Sequence, residues 1–383
     1  MQCGQSAVAG LISNGAMIRR LVVGGLIGDG QSVAGLSVIC HVTFPSVLSS
    51  PCLSCLRSSS SDDYRQWCHT CTIITGRHPT VMHRASSNAT HPKKTILVTG
   101  ASSGIGKQTA LALAAQGHTI IMHGRNTRKT QEVRDWIVER TGNRDVHAHV
   151  ADLSLMNEVA RFAADINAAY DHLDVLVNNA GGQFGSTREV TAEGHEKTFA
   201  INTLAPFLLT NLLLPKLQRS PSARIVTVAS ESYRQAGQPI LDDIELEGHY
   251  SMARAYGFSK LYVWWLMRQL DARLKAAGVR NVTVNTVEPG SAATALQRES
   301  IRKSPWMLPL IILWLPFIRT ARHGARTSVL MASSPTVEGV SGEFWGNMRR
   351  KHINGKWISA DGERRIWDYC ERVCASYLTD VTQ

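Results

Sequence analysis

The chain has 383 residues, a formal net charge of +11 and 44% hydrophobic residues. That length and apolar content allow a sizeable core and exclude a chain too polar to fold. The positive balance suits an anionic partner, such as a dinucleotide phosphate or an acidic membrane surface, as readily as a plain solvated face; no Lys/Arg block is long enough for a nucleic-acid arm, so no nucleic-acid partner is expected.

Residues 1–92 differ from the rest. They are rich in serine, glycine and cysteine, contain no lysine or glutamate, and keep no helical or strand period. The fairly apolar run at 21–39 holds Asp29 and several glycines, which argues against a membrane span. Three readings stay open for this extension: a disordered segment, an arginine-containing, acid-poor organelle-targeting leader, or a stretch upstream of a native start at Met82. Six of the eight cysteines lie within residues 1–71, including the pairs Cys52/Cys55 and Cys68/Cys71 beside His69. Four thiolates can hold tetrahedral zinc. The short gap and the intervening SSSSDD favour chance spacing instead, and no metal site is expected. Residues 95–369 contain no cysteine, so the folded part owes nothing to disulfides and fits a reducing compartment.

From residue 95 the pattern turns regular. Ile96, Leu97, Val98 and Thr99 read as a short buried strand. Gly100, Gly104 and Gly106 form a glycine-spaced turn, and 107–116 reads as a helix closed by Gly117. Strands at 119–123, 146–150, 173–177, 224–229 and 281–287 then alternate with helices at 130–140, 155–170, about 191–217 and 251–277. The run LDVLV at 173–177 is almost continuously apolar and so is expected at the centre of the sheet. Steady alternation of this kind predicts α/β architecture: a Rossmann-like, doubly wound parallel sheet with right-handed crossovers. Ligands bind such sheets beyond the carboxyl ends of the strands. Gly100, Arg125, Asp152, Asn179, Ser230 and Pro289 with Gly290 fall there. Strand, glycine turn and helix together make an anion site, because the amides and dipole of the helix start face the ligand and glycines let it approach. Gly100, Ser102, Ser103, Gly104, Ile105 and Gly106 are the candidates for holding a pyrophosphate.

The motifs TGASSGIG (99–106), DL (152–153), NNAG (178–181), Asn202, Ser230, YGFSK (256–260) and PG (289–290), in this order, resemble the short-chain dehydrogenases/reductases. The match is dense over 95–296 and looser to about 374. HGRN after the second strand, the wide gap between serine and tyrosine, and GARTSV and RRIWDYCERV in the tail are most similar to the retinol-dehydrogenase and WW-domain-oxidoreductase-like branch, although there is no WW domain. The resemblance implies a single Rossmann-fold domain over 93–383, a nicotinamide dinucleotide, and a substrate lid at about 291–322.

Tyr256 and Lys260 stand at i and i+4 and share a helix face. A phenol ordinarily titrates near ~10, and a neighbouring ammonium is expected to lower that value towards acid–base work. The resemblance implies that Tyr256 protonates a carbonyl oxygen in reduction and deprotonates an alcohol in oxidation, and that Lys260 also holds the nicotinamide ribose. It further implies that Ser230 steadies the substrate oxygen and that Asn202 holds a water of a proton relay. Ser232 competes with Ser230 for its role; strand register favours Ser230. Gly124 and Arg125, followed by Asn126, stand where an NAD-preferring site carries an acid, so NADP(H) is expected over NAD(H). Asp152 and Leu153 are expected to flank the adenine, with a helix N-cap as the plainer reading of Asp152. Asn179, Ala180 and Gly181 are expected to let backbone approach the cofactor ribose, Asn178 to be structural, and Pro289 and Gly290 to pack near the nicotinamide.

Some features depart from that branch. The Ser230 to Tyr256 gap carries an acidic insertion at 238–249, Glu288 stands where the branch often has histidine, and SAATAL after Gly290 is unusual. The apolar segment 306–318 is too short to span a bilayer and is broken by Pro309 and Pro316. It is read first as a lid over an apolar pocket, second as a peripheral membrane contact through 305–318 flanked by Arg302, Lys303, Arg319 and Arg322. The expected activity is interconversion of an alcohol with its ketone or aldehyde, on a small hydrophobic substrate such as a retinoid, steroid or lipid carbonyl. The alternative is a catalytically weak NADP-binding regulatory protein, against which the intact Asn202, Ser230, Tyr256 and Lys260 set argues. Helices carrying such Asn and Tyr residues form dimer interfaces in the resembled family, so Trp264 and Trp265 are read either as a homodimer contact or as core. The expected localisation is cytoplasmic or peripherally membrane-associated.

Overall fold

The computed structural model describes residues 92–290 and 320–379; the N-terminal cysteine pairs, the 306–318 segment and most of the expected lid lie outside the described residues. One sheet holds β1 (Thr95–Val98), β2 (Thr119–Gly124), β3 (Val146–Val150), β4 (Val175–Asn178), β5 (Ala223–Val228), β6 (Val282–Glu288), β7 (Phe344–Gly346) and β8 (Arg349–Arg350). Their order is β3-β2-β1-β4-β5-β6-β7-β8. All neighbours are parallel except β7 and β8. This is the expected Rossmann-like sheet. The strand order reverses between β1 and β4, which opens the crevice where such sheets bind ligands.

The helices are α1 (Gly104–Ala114), α2 (Thr127–Thr141), α3 (Met156–Ala169), α4 (Lys197–Gln218), α5 (Met252–Ala276), α6 (Ala321–Ser333) and α7 (Ala360–Leu378). Successive strand side chains point to opposite faces. Ile96 and Val98 therefore pack with α1, α2 and α6, and Leu97 with α3, α4, α5 and α7. Both faces are covered, which is why the central strands read as unbroken apolar runs.

Three local outcomes refine the sequence reading. First, α1 starts at Gly104 rather than at 107, so the glycine turn is shorter and the last two glycines belong to the helix. Second, α4 starts at Lys197 rather than about 191, because Glu196 caps it: its carboxylate accepts from the amides of Thr198 (2.9 Å) and Phe199 (2.7 Å). Third, the tail adds a helix, a strand pair and a second helix where no element was predicted. α7 lies across α4 and α5, with Phe207 and Trp367 edge-to-face at 5.1 Å and Cys370 and Cys374 fully buried. Trp264 and Trp265 are core: each is at most 2% exposed, and the Trp265 indole N–H donates to the carbonyl of Trp357 at 2.8 Å. The apolar length of α4, long enough on composition to cross a membrane, is matched by burial of 78% of its apolar window.

Candidate active site

The glycine turn is shaped by where side chains cannot go. Gly100 has φ of +65°, and a Cβ there would stand 2.9 Å from the Cα of Ala180. A Cβ at Gly106 would stand 2.4 Å from both the Gly100 carbonyl oxygen and the Asn179 amide nitrogen. Thr99 closes the join: its hydroxyl accepts from the amides of Asn179 and Ala180, both at 2.9 Å, and Asn179 Nδ2 donates to the Thr99 carbonyl at 2.7 Å. Above this floor, Ser103 stands at the N-cap of α1 with no side-chain capping bond, and the first turn of the helix carries no acid. Backbone N–H groups with no side-chain cap, on a surface that Cβ atoms would fill, fit a pyrophosphate. Ser102, Ser103, Gly104 and Ile105 line that rim.

At the end of β2, Gly124 is not merely spacious. A Cβ there would meet Thr130 Oγ1 at 2.2 Å and Ser102 Cβ at 3.0 Å, so any side chain at that position must first move the Thr130 hydroxyl off the Asn126 carbonyl. Arg125 follows, exposed. Asn126 caps α2, accepting from the Lys129 amide at 2.9 Å, which commits its side chain to the helix. Asp152 is not a helix cap: its carboxylate accepts from the amide (3.0 Å) and hydroxyl (2.8 Å) of Ser154, while the first amides of α3 donate to Glu193. Leu153 beside it is buried.

Asn178 is structural, as expected: it is buried and donates to Thr210 Oγ1 at 2.9 Å. Gly181 faces the other residues of interest, since a Cβ on it would lie 2.9 Å from Asn202 Oδ1 and 3.0 Å from Lys260 Nζ. Asn202 sits in a π-helical turn, Ala200–Leu204, within α4. The cause is legible in the sequence: Pro206, four residues on, has no N–H for the Asn202 carbonyl and its ring crowds it. The Asn202 side chain accepts from the Gly182 amide and donates to the Gly182 carbonyl and to Ser259 Oγ, each at 2.9 Å.

Ser230 stands two residues past β5, near enough to Tyr256 for its hydroxyl to pull the phenol's pKa down. It also accepts from the Ser232 amide at 3.2 Å, while the hydroxyl of Ser232 is buried with no partner. Gly257 explains how the two segments meet. A Cβ on it would stand 2.5 Å from Ala236 Cβ and 3.1 Å from the Ser232 carbonyl oxygen, so α5 can approach this turn only with glycine beside Tyr256. Lys260, one turn along, is buried and donates to the Val228 carbonyl at 3.0 Å. Burial brings its pKa down to about 8. Here one expectation is corrected. Tyr256 titrates above its ordinary value, because burial outweighs the pull of the Ser230 hydroxyl. The Lys260 ammonium is directed to Val228 rather than to the phenol, lying 6.0 Å from the ring centre.

Pro289 and Gly290 follow β6 at the same end of the sheet, Gly290 with φ of +72°. Glu288, just before them, is buried and pairs with Lys351 of the tail, which also donates to Glu231 at 2.7 Å. Sequence reasoning singled out Glu288 as odd but had no route to Lys351.

Residues 94–305 match the short chain dehydrogenase family. The chain is 35% identical to human retinol dehydrogenase 13 over 285 residues, covering 73% of this chain and 84% of that protein. It is equally identical to human retinol dehydrogenase 14 over 293 residues, covering 73% and 85%. Among solved structures, an uncharacterised protein from Mycobacterium paratuberculosis is similar with a TM-score of 0.58 and 29% identity, covering 75% of this chain and 96% of that one. A short chain dehydrogenase from Escherichia coli CFT073, complexed with NADPH, is similar with a TM-score of 0.53 and 26% identity, covering 67% and 97%.

Proposed function

From the premise that this chain belongs to the short-chain dehydrogenase family, we propose that it interconverts a hydrophobic alcohol and its aldehyde or ketone with NADP(H), through a unit spanning 93–383. The coarser part follows from the family: an oxidoreductase of alcohol and carbonyl groups that uses a nicotinamide cofactor. The observation that carries the catalytic reading is the meeting of Ser230 with Tyr256, with Lys260 one helical turn away and Gly181 against it.

The bound nicotinamide supplies or takes the hydride. Tyr256, held protonated by burial, gives its proton to a carbonyl oxygen in the reductive direction and recovers it in the oxidative one. Ser230 donates to the same oxygen as charge develops on it. Lys260 lies beside Gly181, where it can hold the ribose hydroxyls and steady a Tyr256 anion. Asn202 fixes Gly182 and Ser259, so that Gly181 and the Lys260 helix keep their spacing.

Arg125 and the filled space at Gly124 support NADP(H). No acid for a ribose 2′-hydroxyl stands at 124, where a side chain would crowd Thr130, and an exposed guanidinium stands next to it for a 2′-phosphate. The names of the retinol dehydrogenases put retinoids first among the substrates to try. The test compares kcat/KM for NADPH and NADH with a panel of hydrophobic carbonyls. NADPH is expected to be preferred, and Arg125→Ala is expected to lower kcat/KM for NADPH by about tenfold while leaving that for NADH unchanged. A preference for NADH in the natural chain would overturn the cofactor reading.

A further inference from the structure

His123, the last residue before Gly124, is 3% exposed, and the catalytic reading gives it no role. Its ring lies between the two walls of the crevice. Nδ1 accepts from the Gly100 amide at 3.2 Å, and Nε2 is 3.0 Å from the Ala151 carbonyl. An amide N–H can only donate and a carbonyl can only accept. The proton must therefore sit on Nε2, and the ring must be neutral for both bonds to exist. Burial favours that state, bringing the His123 pKa down to about 4.

The main chain at the same residue repeats the link, because the Ala101 amide donates to the His123 carbonyl at 2.7 Å. On the other wall, the Ala151 amide donates to the Gly124 carbonyl at 3.3 Å. Phe162 packs against the imidazole, with ring centres 5.0 Å apart. Gly100 opens the phosphate turn in a left-handed conformation, and Ala151 immediately precedes Asp152 and Leu153.

We infer that His123 is a positioning residue for the adenosine half of the dinucleotide, its neutral imidazole setting the distance between the phosphate turn at Gly100 and the adenine wall at Ala151–Leu153. This rests on the crevice holding a dinucleotide, as proposed above. The imidazole does not touch the reacting atoms, so its removal acts on cofactor affinity and leaves the chemical step alone.

The two ring nitrogens can be removed separately. In His123→Asn, Oδ1 stands near the place of Nδ1 and keeps an acceptor for Gly100. In His123→Gln, the amide reaches towards the place of Nε2 and leaves the Gly100 amide without a partner. Binding of NADPH and of 2′,5′-ADP is measured by calorimetry on the full chain, alongside kcat at saturating NADPH and a thermal melt. His123→Gln is expected to weaken both ligands by about tenfold, the cost of one buried hydrogen bond. Its kcat is expected to stay within about twofold of natural, and His123→Asn to bind at least about threefold tighter than His123→Gln.

Equal binding by the natural chain and His123→Gln would overturn the assignment alone, as would a loss in kcat matching the loss in affinity. If the natural chain binds neither NADPH nor NADH, the reading of the crevice and the assignment fall together. If His123→Gln gives no cooperative melt, His123→Leu, which fills the space without polar atoms, is measured with the same two outcomes. A loss of folding in every variant but His123→Asn makes the ring a purely structural strut and overturns the proposal.

Discussion

On the side of the crevice between β3 and β4, the contacts that shape the site are neutral hydrogen bonds and missing Cβ atoms: Thr99 to Asn179 and Ala180, His123 to Gly100 and Ala151, and the clearances at Gly100, Gly106 and Gly124. On the side between β5 and the tail they are contacts to carboxylates: the ion pairs of Lys351 with Glu231 and Glu288 and of Arg268 with Glu363, and the His195–Glu245 hydrogen bond. The first side joins residues near strand ends whose identity is dictated by backbone shape. The second joins side chains far apart in the chain, Glu231 and Lys351 being 120 positions apart. A backbone-shaped site tolerates few substitutions but depends little on charge. A charge-tied site can drift in sequence and still close, provided the pairs change together.

The sharpest way to break that division is at Tyr256, which faces both sides. Tyr256→Phe removes the proton donor and leaves the ring packed. Reductive kcat is expected to fall about 1000-fold, with NADPH affinity within about twofold of natural. A comparable loss of NADPH binding would mean that the two sides are one mechanical unit and that the contrast has no functional meaning. The next effect is smaller and belongs to the tail. Lys351→Met leaves Glu288 without its ion-pair partner and Glu231 with Arg234 alone, one residue from Pro289 and from Ser230. Lys351 is only partly exposed, so the pair is worth more than a surface bridge and less than a sealed one. The expected result is about a tenfold lower kcat/KM for the carbonyl substrate, with KM for NADPH unchanged. An unchanged carbonyl KM and kcat would make this cluster a surface ornament of the fold.

The same contrast decides what could be read from the sequence. The parallel sheet was legible in the alternation of apolar strands with helices, and the glycine turn because Gly100 and Gly106 are demanded by clearances of a few ångströms. Ser230, Tyr256 and Lys260 were legible as a spacing on elements already placed. The π turn at Asn202 is also written in the chain, in Pro206. Lys351 and Glu245 were not legible. The hub at Glu245 accepts from His195, the Glu196 amide and the Tyr369 hydroxyl, drawing on an insertion, a loop and the tail helix, and no local period announces such a meeting. The titration of Tyr256 was misjudged for a related reason. The i, i+4 spacing puts Lys260 on its face but does not reveal that the ammonium is turned to the Val228 carbonyl, nor how deeply the phenol is buried.

Lys260 gives the smallest expected effect and the finest test, because it lies where the two sides meet. Burial sets its pKa at about 8, so it is a cation below that pH and neutral above it. If the charge is needed to hold the ribose and to steady Tyr256, reductive kcat/KM is expected to fall as pH rises, by about fourfold between pH 7 and 8.5 for a single group titrating at about 8. Tyr256 does not supply that descent. Its pKa is raised above the ordinary phenol value, so it keeps its proton throughout the interval and stays a competent donor. Lys260→Arg separates charge from titration, since a guanidinium stays protonated beyond this range. The variant is expected to be slower, because its fork does not reproduce a single ammonium donating to Val228, but its profile should be flat to pH 9. A descent that persists in Lys260→Arg would assign the titration to another group. A flat profile in the natural chain would mean that the bound dinucleotide, or the substrate itself, keeps the lysine charged, and that the backbone-shaped side controls the charge on which the other side relies.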